Sequence, residues 1–215
     1  MALTRFVILS LLLAATVSAN VGHAVSQSAT PVAALDALPA WLQFGPDGLL
    51  FARAMTTNEC PDLDIDGNAV AMQPRGERDA DFPVITCEAL VPFGAVTASI
   101  RDVALPLPSG PVERIAVIGD TGCRLNAWEK KFQNCNDPAE WPFAQVAASV
   151  AAWQPDLIIH VGDYLYRESP CPADMPGCSG SPSGDNWETW NADFVSPAEP
   201  LFTAAPLVMM RGNHE

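Results

Sequence analysis

An α/β fold, with parallel β-α-β units behind a small β-rich domain, is what the sequence predicts, and three observations predict it. Uninterrupted apolar runs at Ile115-Ala116-Val117-Ile118, Leu157-Ile158-Ile159-His160-Val161 and Leu207-Val208-Met209-Met210 read as short buried strands. Between them lie stretches whose large apolar residues recur at helical spacing. Ahead of them, residues 49–110 hold shorter apolar stretches cut by turn residues, the pattern of a β-rich unit. Strands alternating with helices build right-handed crossovers on a parallel sheet.

Taken in order, residues 1–19 read as a signal peptide: Arg5 is the positive start, 6–15 the apolar run and Val17-Ser18-Ala19 the small-residue cleavage site. A secreted or periplasmic protein follows. The run is about half of the roughly 20 residues that span a bilayer, so no stable membrane span is expected. Residues 20–48, rich in Ala, Pro and Ser, read as a linker or irregular arm.

In the β-rich domain the strand candidates are Leu49-Leu50-Phe51-Ala52, Ala69-Val70-Ala71-Met72, Phe82-Pro83-Val84-Ile85 and Val96-Thr97-Ala98-Ser99-Ile100, with a turn at Asp66-Gly67. Asp62, Asp64, Asp66 and Gly67 imitate the start of a calcium loop. Gln73 stands where its bidentate Glu belongs, so a β-turn is the better reading. In residues 111–215, a helix is expected over 138–153, carried by Trp141, Phe143, Val146, Val150 and Trp153 with Pro142 in its first turn. Trp187, Trp190, Phe194 and Leu201-Phe202 mark a second helical segment, interrupted at Pro197 and Pro200. Trp187 and Trp190 are read as packing residues.

At 49% hydrophobic and 17% charged, the chain buries a real core. Its formal charge of −14 excludes sequence-independent nucleic-acid binding by a basic patch. An anionic substrate would then need local positive charge, which bound metal ions supply. Six cysteines and no Cys-x-x-Cys pair favour disulfides over a zinc site. Sequential pairing is expected, because Cys60 and Cys87 bracket one N-terminal segment while Cys123/Cys135 and Cys171/Cys178 each bracket one loop.

Each buried strand runs straight into a polar motif bearing glycine: Gly119-Asp120-Thr121-Gly122, Gly162-Asp163-Tyr164-Leu165-Tyr166 and Gly212-Asn213-His214-Glu215. Ligands of open α/β sheets bind beyond the carboxyl ends of the strands, so the three motifs should converge. One such ending is an ordinary turn signal. Three in series, offering Asp120, Asp163, Tyr166, Asn213 and His214, give hard oxygen and imidazole ligands suited to Fe, Zn or Mn. Asp163, on the middle motif, is the candidate to bridge two ions, which in such sites lie about 3.5 to 4 Å apart.

From about Arg114 to Glu215 the sequence resembles the calcineurin-like metallophosphoesterase superfamily, whose cores carry Asp-x-His, Gly-Asp-x-x and Gly-Asn-His-Glu/Asp motifs in this order. Gly122 stands where many members place the histidine, and Tyr166 completes Gly-Asp-x-x-Tyr, as in purple-acid-phosphatase-like members. The resemblance implies that Asp120 and Tyr166 bind the first of two divalent or mixed-valence ions (Fe, Zn or Mn), that Asp163 bridges both, and that Asn213 binds the second. It implies that His214 acts on the substrate, a small-molecule phosphate ester attacked by metal-activated water. A metallophosphoesterase core of this kind needs later histidines, one isolated and one in Gly-His-x-His. The sequence holds only His23, His160 and His214, so a fragment truncated at its C-terminus, with little activity alone, is expected.

Other residues are weighed more blandly. His160, inside the second strand, reads as a hydrogen-bonded core residue. Arg167 either contacts substrate phosphate or pairs with Glu168. The loop over 169–185, with Cys171 and Cys178, is a rim of the site or a plain surface loop. The competing function is a non-catalytic secreted binding protein carrying a remnant phosphoesterase domain. The sequence leaves the substrate and the oligomeric state open.

Overall fold

The computed structural model describes residues 38–215. The signal peptide and the arm as far as residue 37, with His23, lie outside the described residues. The strands are β1 (Ala40–Phe44), β2 (Leu50–Thr56), β3 (Asp62–Ile65), β4 (Asn68–Ala71), β5 (Gln73–Pro74), β6 (Ile85–Leu90), β7 (Ala98–Ile100), β8 (Val103–Ala104), β9 (Ile115–Ile118), β10 (Leu125–Asn126), β11 (Lys131–Phe132), β12 (Leu157–His160) and β13 (Leu207–Met209). The α-helices are α1 (Phe143–Trp153), α2 (Trp187–Trp190) and α3 (Glu199–Phe202).

The three predicted strands lie side by side and parallel, but β9 is not buried as expected: it is the sheet's edge strand, with Ile115 and Val117 exposed and only Ala116 buried. Ile115 pairs with Leu157, and Ile158 pairs with Leu207. They are three strands of one seven-stranded sheet ordered β5-β6-β2-β1-β13-β12-β9. The expected boundary near residue 110 does not interrupt that sheet, because β1 sits between the two halves, parallel to β13 and antiparallel to β2.

β1 falls inside the stretch expected to be an irregular arm. Its five residues alternate faces: Leu42 packs among Ala52, Leu63 and Ile100, while Trp41 packs among Ile158, Leu207 and Phe202. Burying Leu42 completely is worth about 2 kcal/mol. The partner strands are distant in sequence, so composition alone hides the element.

A second sheet, β4-β3-β7-β8, covers the Leu42 face. Asp66 and Gly67, with φ of 51° and 79°, turn the β3–β4 hairpin. The Asp66 carboxylate accepts from the N–H groups of Val96 and Thr97 at 2.9 and 2.7 Å, so this acidic run builds a turn. Of the other candidates, Val96–Ile100 shortens to β7, and of Phe82-Pro83-Val84-Ile85 only Ile85 enters a strand, β6.

The helices cover the opposite face. α1 follows Pro142 and presses Phe143 and Ala147 into the core. The segment over 187–202 is interrupted around Pro197 as expected, but not at Pro200. Asn186 caps α2 through Thr189 N–H at 3.0 Å, a π-turn runs through Asn191–Val195, and Pro200 lies in the first turn of α3. That π-turn aims Asp193 inward, where it is completely buried. Trp187 and Trp190 pack against this core, as read from their spacing.

All three disulfides follow the sequential pairing: Cys60–Cys87, Cys123–Cys135 and Cys171–Cys178. They fit an extracellular location. No described helix is long and apolar enough to cross a membrane.

Candidate metal centre

The carboxyl ends of β9, β12 and β13 are stitched together by their own loops. Asp120 N–H donates to Gly162 O at 3.2 Å, Thr121 N–H to Asp163 O at 3.0 Å, and Met210 N–H to His160 O at 3.0 Å. Asp120 and Asp163 both take left-handed backbone, with φ of 53° and 60°, a conformation that Asp tolerates better than most residues. The third loop lies so close to the second that a Cβ on Gly212 would fall 1.9 Å from Asp163 Oδ1.

This approach brings four of the five expected site residues to one point. The Tyr166 hydroxyl lies 2.7 Å from Asp120 Oδ1 and 2.8 Å from Asp163 Oδ2. Asp163 Oδ1 accepts from the N–H groups of Asn213 at 2.8 Å and His214 at 3.3 Å. The imidazole of His214 packs, tilted by 32°, against the Tyr166 ring with centroids 4.3 Å apart. Asn213 reaches the group through its backbone. Among the described residues, no three His, Cys, Asp or Glu side chains gather as a metal cluster; the group's acidic members are only Asp120 and Asp163.

The electrostatics follow from this geometry. Burial, then the two carboxylates it touches, push the Tyr166 phenol well above its ordinary range. Asp163 lies below the usual carboxylate range because Tyr166 donates to it, joined by the Asn213 and His214 N–H groups. His160 is core, as expected. It is fully buried, Gly162 N–H donates to its Nδ1 at 3.2 Å, and Nε2 therefore carries the proton toward Thr121 Oγ1 at 3.0 Å. Burial lowers its pKa to about 4.

Arg167 departs from its expected role. It is buried, its Nε donates to Asp193 and its guanidinium sits 5.0 Å over the Trp141 ring, so it faces the core and not the strand ends. Nor does it pair with Glu168. That carboxylate instead meets His214 Nδ1 and Asn126 Nδ2.

Asp193 and Arg124 escape sequence reasoning, and Glu168 takes a part other than the expected pairing with Arg167. Asp193 accepts from Cys123 N–H at 3.0 Å, Tyr166 N–H at 2.8 Å and Arg167 N–H at 3.2 Å, tying the first two motif loops to the π-turn. Burial pushes its carboxyl upward while Arg167 pulls it down. Glu168 orients His214. Arg124 holds its guanidinium 5.0 Å over the Tyr166 ring. The partners that Asp193 and Glu168 meet lie 26 to 70 residues away, so no local signal marks them.

Position 122 explains its own departure from Asp-x-His. A Cβ there would lie 2.7 Å from Tyr166 N and 2.8 Å from Tyr164 O, so the first loop nests directly on the second. The loop over 169–185 packs beside the Cys123–Cys135 loop. Asn136 N–H donates to Gly177 O at 3.2 Å, and Asn136 Nδ2 donates to Ser179 O at 3.1 Å. Beside the nest, Asp120, Tyr166, Arg124, Gln133 and Trp141 line a cleft of about 530 Å³.

The chain is an α/β protein whose acidic and phenolic side chains gather beyond the carboxyl ends of parallel strands, the place where open α/β sheets bind ligands. Residues 113–215 match the model of the calcineurin-like phosphoesterase family. No curated protein and no solved structure matches the chain significantly.

Proposed function

We propose that the protein hydrolyses small-molecule phosphate esters at a dinuclear metal centre of the purple-acid-phosphatase-like kind. One observation carries this reading: a single phenol, Tyr166, lies within hydrogen-bond distance of carboxylates from two different strand ends, Asp120 and Asp163. That donor set fits hard divalent or mixed-valence cations, Fe, Zn or Mn. Asp120 and Tyr166 would hold the first ion, Asp163 both, and Asn213 the second. Bound ions supply the positive charge that a −14 chain lacks and lower the pKa of water toward neutrality.

The remaining work falls to the chain. Backbone N–H groups of Asn213 and His214 hold Asp163 Oδ1, which fixes the carboxylate's orientation. Glu168 accepts from His214 Nδ1–H, and in the imidazolium form Nε2–H would give its proton to the departing ester oxygen, leaving a neutral imidazole. Packing against Tyr166 holds the imidazole in the same place.

Asp163→Asn tests the reading in the protein expressed at its natural length, with p-nitrophenyl phosphate turnover and metal content measured together. Hydrolysis is expected to fall to the chelated background and metal to be depleted, since the shared charge is gone. Retained turnover with two bound metals refutes the assignment.

A further inference from the structure

The strand-end cleft contains a cation that the proposed metal ligands do not explain. Arg124 lies four residues beyond Asp120, on the loop that the Cys123–Cys135 disulfide closes. Its backbone is fixed on both sides: Arg124 N–H donates to Gln133 Oε1 at 3.0 Å, and Gln133 N–H donates to Arg124 O at 2.8 Å. Glu129 Oε2 takes Nε at 3.0 Å and Nη2 at 2.8 Å, which orients the guanidinium over the Tyr166 ring. Nη1 has no partner among the described residues.

Glu129 does not cancel this charge, because Lys131 Nζ lies 3.3 Å from the same carboxylate oxygen. Glu129 is thus shared between two cations, and Glu168 is the further carboxylate that acts on Arg124. The side chain is 29% exposed and lines the same cleft as Asp120 and Tyr166. Arg167, by contrast, is spent on Asp193 inside the fold. A pre-oriented, partly open guanidinium beside the reacting centre of an acidic protein matches the fork geometry with which Arg takes phosphate.

We propose that Arg124 is a substrate-binding residue, its guanidinium taking a non-bridging oxygen of the phosphate ester from the cleft side. This rests on the phosphoesterase reading above and deepens it by naming the group that selects for an anionic substrate. Glu129 and Gln133 are then positioning residues, acting through Arg124.

The test uses the protein at its natural length, with inorganic phosphate as the calorimetric probe and p-nitrophenyl phosphate as substrate. Charge-assisted hydrogen bonds set the scale: Arg124→Met should weaken phosphate binding and raise KM by about ten- to a hundredfold, with kcat little changed. Arg124→Lys should recover part of both. Arg124→Gln, which keeps the stem and polarity, serves as a second neutral variant if the methionine form does not fold. Phosphate affinity within about twofold of wild type in a folded neutral variant overturns the proposal, on the same scale. So does a fall in kcat with KM unchanged, which would place Arg124 on Tyr166 and not on substrate. If the unaltered protein neither binds phosphate nor turns over the ester, the phosphoesterase reading itself fails. Turnover that is indifferent to Arg124→Met removes Arg124 alone.

Discussion

Replacing Asp193 with alanine tests how the centre is held. The carboxylate is fully buried and serves four donors: the N–H groups of Cys123, Tyr166 and Arg167, and the Arg167 side chain. Truncation leaves a guanidinium buried without its counter-charge, a loss of about 3 to 5 kcal/mol when a buried pair is broken on one side. Three backbone donors also lose their acceptor, each worth about 1 kcal/mol or more where water cannot reach. Water entering the vacated space offsets part of this, so Asp193→Ala should lose at least about 3 kcal/mol. Asp193→Asn, which keeps one acceptor oxygen but not the charge, should lose less. Urea unfolding measures both, read as a shift in midpoint at constant slope. The double variant Asp193→Leu/Arg167→Met should be less damaged than the sum of its singles, by about 2 kcal/mol, because removing both charges leaves none stranded. An alanine variant within about 1 kcal/mol of wild type, below the scale for a broken buried pair, would refute the reasoning.

Two further outcomes follow from the nested loops. His160 has its folded pKa lowered to about 4 by burial, against an unfolded value of about 6.5. Its contribution is therefore complete above the unfolded pKa and is lost as pH falls toward 4, amounting to about 3 kcal/mol there. Unfolding curves at pH 7.5 and 4 should differ by that much less in His160→Asn; an equal pH dependence in both proteins contradicts the assignment. Gly122→His, which installs the histidine of the Asp-x-His pattern, meets the backbone of Tyr166 and Tyr164 at under 3 Å. It should lower stability by about 2 kcal/mol or more and gain no metal affinity; a stable variant with tighter metal binding would show that the loop yields.

What was legible in the sequence was whatever a strand carries with it. Asp120, Asp163 and His214 each lie within five residues of an apolar strand, so finding the strand finds the residue. Cysteine pairs closing short loops were readable for the same reason, their partners being near in the chain. β1 was not, since Trp41 and Leu42 are strand residues only because Arg53 and Leu207 flank them. Arg167 and Arg124 were indistinguishable as charges. Which one turns inward depends on Asp193, presented by a π-turn 26 residues beyond Arg167.

The sequence by itself determined the three strand-and-motif units, their order and the chemistry of their side chains, because backbone propensity and side-chain type are properties of neighbouring residues. The tertiary structure alone decided that one sheet joins the two halves of the chain, that Tyr166 lies between Asp120 and Asp163, that Glu168 serves His214, and that Arg124, not Arg167, faces the cleft. Those relations are set by close packing between segments dozens of residues apart, where one glycine without a Cβ or one buried carboxylate decides which side chains meet.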